Sequence, residues 1–101
     1  MDRFGNNQYE LLKELCIEYL GGKRCMLPEC NNRGLPICCY DFHHNKGVKK
    51  DDIGKMIGRK RSLDNELKNE LQKCIVVCAN CHRMITYNYV DNKTLQSLFH
   101  Q

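Results

Sequence analysis

At 101 residues, with a net charge of +4 and eight cysteines, the chain has room for one small domain with a modest core, short of the size at which burial alone stabilises comfortably. No apolar run approaches the roughly 20 residues that span a bilayer, which excludes a membrane helix, and the opening Met1-Asp2-Arg3 carries no basic-then-apolar leader, which argues against secretion. The cysteines are therefore expected as thiols in a reducing, cytoplasmic compartment, where their spacing points to metal rather than to disulfides.

The first predicted element is an amphipathic helix from about Gln8 to Leu20. Tyr9, Leu12, Cys16 and Tyr19 recur at helical spacing with Leu11, Leu15 and Leu20 beside them; Asn6 or Asn7 offers an N-cap and Gly21-Gly22 a stop. Its expected role is to cover the core. Cys25-Met26-Leu27-Pro28-Glu29-Cys30, with a proline between two cysteines and the turn-prone Asn31-Asn32-Arg33-Gly34 behind it, reads as a tight knuckle. Pro36 then opens a short apolar and aromatic run, Ile37 to His43, expected as a strand that ends in the doublet His43-His44.

From Asn45 to Ser62, Gly47, Gly54 and Gly58 interrupt the pattern, and a long basic loop is expected with one helical turn around Ile53, Met56 and Ile57. Lys46, Lys49, Lys50, Lys55, Arg59, Lys60 and Arg61 crowd this segment with Asp51 and Asp52 against them, a surface that suits a polyanion. Taken alone, the same segment also reads as a solvated loop that keeps the protein soluble. Leu63, Leu67, Leu71 and Cys74 next predict a helix from about Leu63 to Lys73 with Ser62 as N-cap. Ile75-Val76-Val77 is a β-branched run expected to pair antiparallel with the 37–43 strand. It leads into Cys78-Ala79-Asn80-Cys81-His82, after which a helix from His82 to about Tyr89 and a weak terminal one over Thr94, Leu95, Leu98 and Phe99 are expected. With no repeat, low-complexity tract or internal boundary, residues 1–101 read as a single domain.

Cys25-x4-Cys30 and Cys78-x2-Cys81 supply four thiolates, the donor set of a tetrahedral structural Zn²⁺ whose binding energy is folding energy. The alternative for the 25/30 pair is two buried thiols. Cys16, Cys38, Cys39 and Cys74 fall on apolar runs and are expected as small core residues. If the cysteines close the zinc, His43, His44 and His82 are left for a second, open site, the doublet presenting its side chains on opposite sides of a strand or splayed at its end where the backbone turns.

Taken together, Tyr40-Asp41-Phe42-His43-His44, the Leu-x3-Leu-x3-Leu helix, and the run from Lys73 through Cys78-Ala79-Asn80-Cys81-His82-Arg83 resemble the HNH endonucleases over roughly Cys25 to Tyr89. The resemblance implies an α+β chain with the small ββα-metal (HNH) fold, a structural four-cysteine zinc site and an added N-terminal helix, of phage or bacterial type. It implies a metal-dependent DNA endonuclease whose hydrolysis leaves 5′-phosphate and 3′-hydroxyl ends. Carried over by position, His44 matches the general base, His43 the metal ligand before it, and His82 the metal ligand at the head of the last helix of the motif. The chain departs from the family pattern at two places: Lys73 stands where many members have the middle Asn, leaving Asn80 as the nearest substitute and Asn69 behind it, and Thr86 stands where a further histidine is common.

With His43 and His82 alone as protein ligands, a hard ion such as Mg²⁺ or Mn²⁺ fits, completed by water and phosphate. Asp41 is set aside as a ligand, because alternation puts it on the face of His43 but farther from the site. The basic loop, leaving the site at His44, is expected along the DNA backbone, and Arg83 as a phosphate contact. Expected partners are DNA and either a second copy or a phage or host protein, in the host cytoplasm if the protein is phage-encoded, with no membrane. Two other readings stand beside this one: a catalytically inactive, zinc-stabilised nucleic-acid-binding module, favoured by Lys73 and Thr86, and a protein-interaction zinc domain that uses the basic loop with Leu95, Leu98 and Phe99.

Overall fold

A computed structural model of the chain describes residues 7–30 and 32–98. The chain is α+β: helix α1 (Asn7–Tyr19), strand β1 (Tyr40–His44), helices α2 (Ile53–Arg59) and α3 (Asn65–Leu71), strand β2 (Cys74–Cys78), then helices α4 (Ala79–Thr86) and α5 (Asn92–Ser97). The two strands pair antiparallel in the register Tyr40↔Cys78, Asp41↔Val77, Phe42↔Val76, His43↔Ile75, His44↔Cys74. Residues opposite one another in such a ladder share a face, and successive residues alternate. One face of the sheet thus carries Asp41, His43, Ile75 and Val77, and the other carries Phe42, His44, Cys74 and Val76.

Each face has its own cover. Ile75 and Val77 pack with Ile85 of α4, Leu95 of α5, Leu98 and Leu27. On the other side Cys74 packs with Leu12 and Cys16 of α1, Ile53, Met56 and Ile57 of α2, and Leu67 and Leu71 of α3. Val76 and Tyr40 join Ile17 and Ile37 there. β2 is buried along its whole length, so its sequence is a continuous apolar run instead of an alternating one.

The elements differ from their sequence expectations where local chemistry competes with pattern. Ile37–Cys39 is a single 3-10 turn rather than strand, closed by the Cys39 N–H on the Pro36 carbonyl at 2.9 Å, and the strand begins at Tyr40. Cys38 is consequently exposed and Cys39 half-buried, unlike the buried Cys16 and Cys74. The single helical turn expected around Ile53, Met56 and Ile57 is a seven-residue helix, α2, capped by Asp52, whose side chain accepts from the Lys55 N–H at 3.3 Å. Its buried triplet Ile53, Met56 and Ile57 outweighs the roughly 1 kcal/mol that each interior glycine costs a helix. Helix α3 is shorter than expected and starts behind Asp64, which accepts from the Leu67 N–H at 2.9 Å, so Asp64 and not Ser62 is its cap. Helix α4 starts earlier than expected, at Ala79, which puts Cys81 in its first turn.

Helix α1 buries Leu12, Cys16 and Ile17 but leaves Leu11 62% and Leu15 53% exposed. Its end is fixed by Gly21 and Gly22, at φ 118° and 105°, a backbone region that disfavours side chains. Asn6, Asn31 and Phe99, named above as cap, turn and terminal-helix residues, lie outside the described residues. Among the described residues no helix is long and apolar enough to cross a membrane.

Candidate metal centre and histidine cluster

Four sulfurs meet at one end of the sheet. The ligand atoms of Cys25, Cys30, Cys78 and Cys81 all lie within 4.8 Å of one another, and Cys30 Sγ is 3.8 Å from Cys78 Sγ. The sequence brings them together by two local devices. The first pair sits on a turn closed by the Cys30 N–H on the Leu27 carbonyl at 3.1 Å, and the turn is tied to the sheet by the Met26 N–H on the Val76 carbonyl at 2.8 Å. The second pair uses the last residue of β2 and the first turn of α4. All eight cysteines are free thiols.

The electrostatics of this cluster ask for a cation. Burial pushes the Cys78 thiol up, but the Cys81 backbone N–H, the Asn32 amide and the neighbouring thiols outweigh it and bring it down to about 7. The Asn32 Nδ2 lies 3.3 Å from Cys78 Sγ. Cys25 and Cys81 are pushed up instead, chiefly by burial. The Cys78 thiolate is thus readily formed and those of Cys25 and Cys81 are not, unless a bound metal ion supplies the positive charge that lets them deprotonate. The four-cysteine cluster can hold such an ion.

The histidines divide by strand parity. His43 faces α4, where its ring makes an edge contact with that of His82, centroid to centroid 5.5 Å. Asp41, two residues back on the same face, reaches His82 as well: its Oδ2 is 3.0 Å from His82 Nδ1. A carboxylate only accepts, so Nδ1 of His82 carries the proton and Nε2 keeps its lone pair for a metal. Sequence reasoning set Asp41 too far from the site; it missed that α4 leans back over β1 and brings His82 to the carboxylate. Burial, followed by the electrostatic effect of His82, His44 and Lys49, lowers the pKa of His43.

His44 lies on the other face, its side chain 14% exposed, with Nε2 2.9 Å from Glu70 Oε2 of α3. Glu70, 4% exposed, is the buried polar residue of the core, and sequence reasoning missed it altogether. The signal was present in the pattern, since Glu70 adjoins Leu71 and follows Leu67 by three, on the stripe that α3 buries. Burial pushes its carboxyl up, but hydrogen bonds from Lys73, the Lys50 N–H, His44 and the Asp51 N–H prevail and hold it at about 2. Lys73, at the position of the expected middle Asn, gives its Nζ to Glu70 Oε1 at 3.0 Å and to the Val48 carbonyl at 2.7 Å.

The other candidates are scattered. Asn80 lines a groove of about 620 Å³ beside the cysteines, with Met84, Tyr89 and Thr94, rather than facing the histidines. Asn69 is exposed on α3. The Thr86 hydroxyl donates to the His82 carbonyl at 3.1 Å. Of the basic residues, Lys46, Lys49, Lys50, Lys55, Arg59, Arg61 and Arg83 are exposed and Lys60 is half-buried; among them Lys49 is 3.5 Å from Asp52, Arg59 pairs with Asp51, and Lys60 is shared by Asp64 and Glu66. Compared with protein-family models, with curated proteins and with solved structures, the chain gives no significant match.

Proposed function

We propose that this chain is a metal-dependent DNA endonuclease of the HNH type, a ββα-metal fold with zinc in the four thiolates and a second divalent ion, Mg²⁺ or Mn²⁺, held by His43 and His82. The observation that carries the reading is the convergence of His82, from the head of α4, on the face of β1 that bears His43 and Asp41. The donor sets fit. Zn–S bonds of about 2.3 Å set tetrahedral sulfur–sulfur edges of about 3.8 Å, the Cys30–Cys78 spacing of 3.8 Å. Two imidazoles, one oriented by a carboxylate, suit a loosely held ion that keeps positions for water and phosphate. Bound there, the ion supplies charge neutralisation to the phosphate and the departing oxygen.

The work of the chain itself is to position and to move one proton. His44 takes a proton from the attacking water as the new oxygen–phosphorus bond forms; the bond from phosphorus to the 3′ oxygen breaks, and that oxygen takes up a proton from solvent. Lys50, Lys55, Arg61 and Arg83 supply salt-dependent contacts to the DNA backbone. A second reading, a zinc-stabilised nucleic-acid-binding module without catalysis, is favoured by one observation. Among the described residues the four thiols alone form a group of three or more metal donors at ligand spacing.

Conversion of supercoiled plasmid to open-circular or linear DNA separates the two, with EDTA, Mg²⁺, Mn²⁺ or Ni²⁺ added to wild type and to His44→Ala. The nuclease reading expects metal-dependent conversion by wild type, slowed about 10²–10⁴-fold in His44→Ala. DNA binding without conversion under any ion decides for the binding module.

A further inference from the structure

Glu70 is costly where it stands. A buried carboxylate on the apolar stripe of a helix is unfavourable unless every lone pair is matched, and an apolar residue would serve packing as well. Here the matching is complete and has a direction. Oε2 accepts from His44 Nε2 at 2.9 Å and from the backbone N–H groups of Lys50 at 2.9 Å and Asp51 at 3.4 Å, while Oε1 takes Lys73 Nζ at 3.0 Å. Since an ionised carboxylate donates nothing, the nitrogen of His44 that faces it must carry the imidazole proton. Nδ1 is then the unprotonated nitrogen. Through the same oxygen the carboxylate also holds the backbone at Lys50 and Asp51, where the segment leaving His44 returns past α3. Lys73 closes the arrangement, since its Nζ reaches the Val48 carbonyl and its own carbonyl accepts the Asn45 N–H at 2.7 Å.

We propose that Glu70 is the positioning residue for His44: its carboxylate fixes the Nε2–H tautomer and the ring orientation, and so presents Nδ1 as the proton acceptor for the hydrolytic water. The catalytic part of this rests on the reading of His44 as the base; the tautomer does not. Lys73 has a different part, holding the 45–50 segment to α3: a part-buried Glu–Lys pair ties the segment down.

The test is long-range ¹H–¹⁵N spectroscopy of the imidazoles in the zinc-loaded chain, with single-turnover plasmid cleavage and DNA affinity measured in parallel, for wild type, Glu70→Met and Lys73→Met. The expected result is His44 as the Nε2–H tautomer in wild type and in Lys73→Met. In Glu70→Met, which removes the acceptor, the fixed tautomer is lost and the saturating cleavage rate falls about 10–100-fold while DNA affinity stays within about twofold. A merely structural clamp would lower melting temperature in both variants and leave the tautomer alone. Wild-type His44 found as Nδ1–H, or averaging between tautomers, overturns the proposal, as does Glu70→Met cleaving at the wild-type rate. If wild type cleaves nothing with any ion, the nuclease reading fails and the catalytic role with it; the tautomer then decides the positioning role by itself.

Discussion

A single step along β1 decides what each histidine of the doublet can do. His43 and Asp41 share the face covered by α4, and His44 turns to α3 and its buried Glu70. The doublet is therefore split between the two faces of the sheet. At the same scale the sulfurs divide the cysteines into a clustered four and a dispersed four, a distinction that spacing alone made legible for Cys78 and Cys81 and partly for Cys25 and Cys30. Asn32 was not legible, since its amide meets Cys78 only after the turn closes. On the proposed zinc reading, Cys78→Ser should lose the ion and unfold the chain. Structural zinc contributes on the order of 10–16 kcal/mol of apparent binding energy, against a total stability of about 5–15 kcal/mol for a small domain. Metal content and a circular-dichroism melt check this, and a variant that melts like wild type without zinc would remove zinc from the account.

At the scale of elements, periodicity and caps explain most of what forms, and the misses have definite causes. Helix α1, strand β2 and the antiparallel pairing followed from apolar spacing and β-branched runs. The expected strand at Ile37–Cys39 gave way to a 3-10 turn because Pro36 offers its carbonyl to Cys39. The glycines of the basic segment concealed the length of α2, expected as a single turn, whose cap and three buried side chains outweigh their cost. The start of α3 was misread because two capping residues, Ser62 and Asp64, lie within three positions, and the one that accepts from the third residue beyond it wins. Asp64→Ala should accordingly cost about 1 kcal/mol, and more than Ser62→Ala. Urea titration of both variants measures the difference, and equal costs would put the cap back at Ser62. The burial of Glu70 was legible from its place on the α3 stripe, but its partners and the Asp41–His82 contact were not, since each needs two elements packed against each other before the residues meet.

For the whole molecule the net charge of +4 says less than its distribution. Lys60, Arg59 and Lys49 are engaged by the carboxylates of Asp64, Asp51 and Asp52, while the exposed Lys50, Lys55, Arg61 and Arg83 make no ion pair among the described residues. On the proposed reading the second group carries phosphate affinity. Reversing Lys50, Lys55 and Arg61 together to Glu should flatten the logarithmic salt dependence of DNA binding by roughly 0.9 for each phosphate that these side chains neutralise; Lys60→Glu should change the slope far less. An unchanged slope in the triple variant would take the DNA path off this segment.

The proposed reading assigns the two metal positions separate tasks, one for folding at the thiolates and one for hydrolysis at His43 and His82, and a single comparison addresses that division. Single-turnover cleavage of supercoiled plasmid is followed as Mn²⁺ is added to zinc-loaded wild type and zinc-loaded His82→Ala. The expected result is a wild-type rate that rises with Mn²⁺ and saturates, while His82→Ala keeps its zinc, its melting temperature and its DNA affinity but loses cleavage at every Mn²⁺ concentration. Equal rates in the two proteins, or no cleavage by wild type at any concentration, would contradict the account.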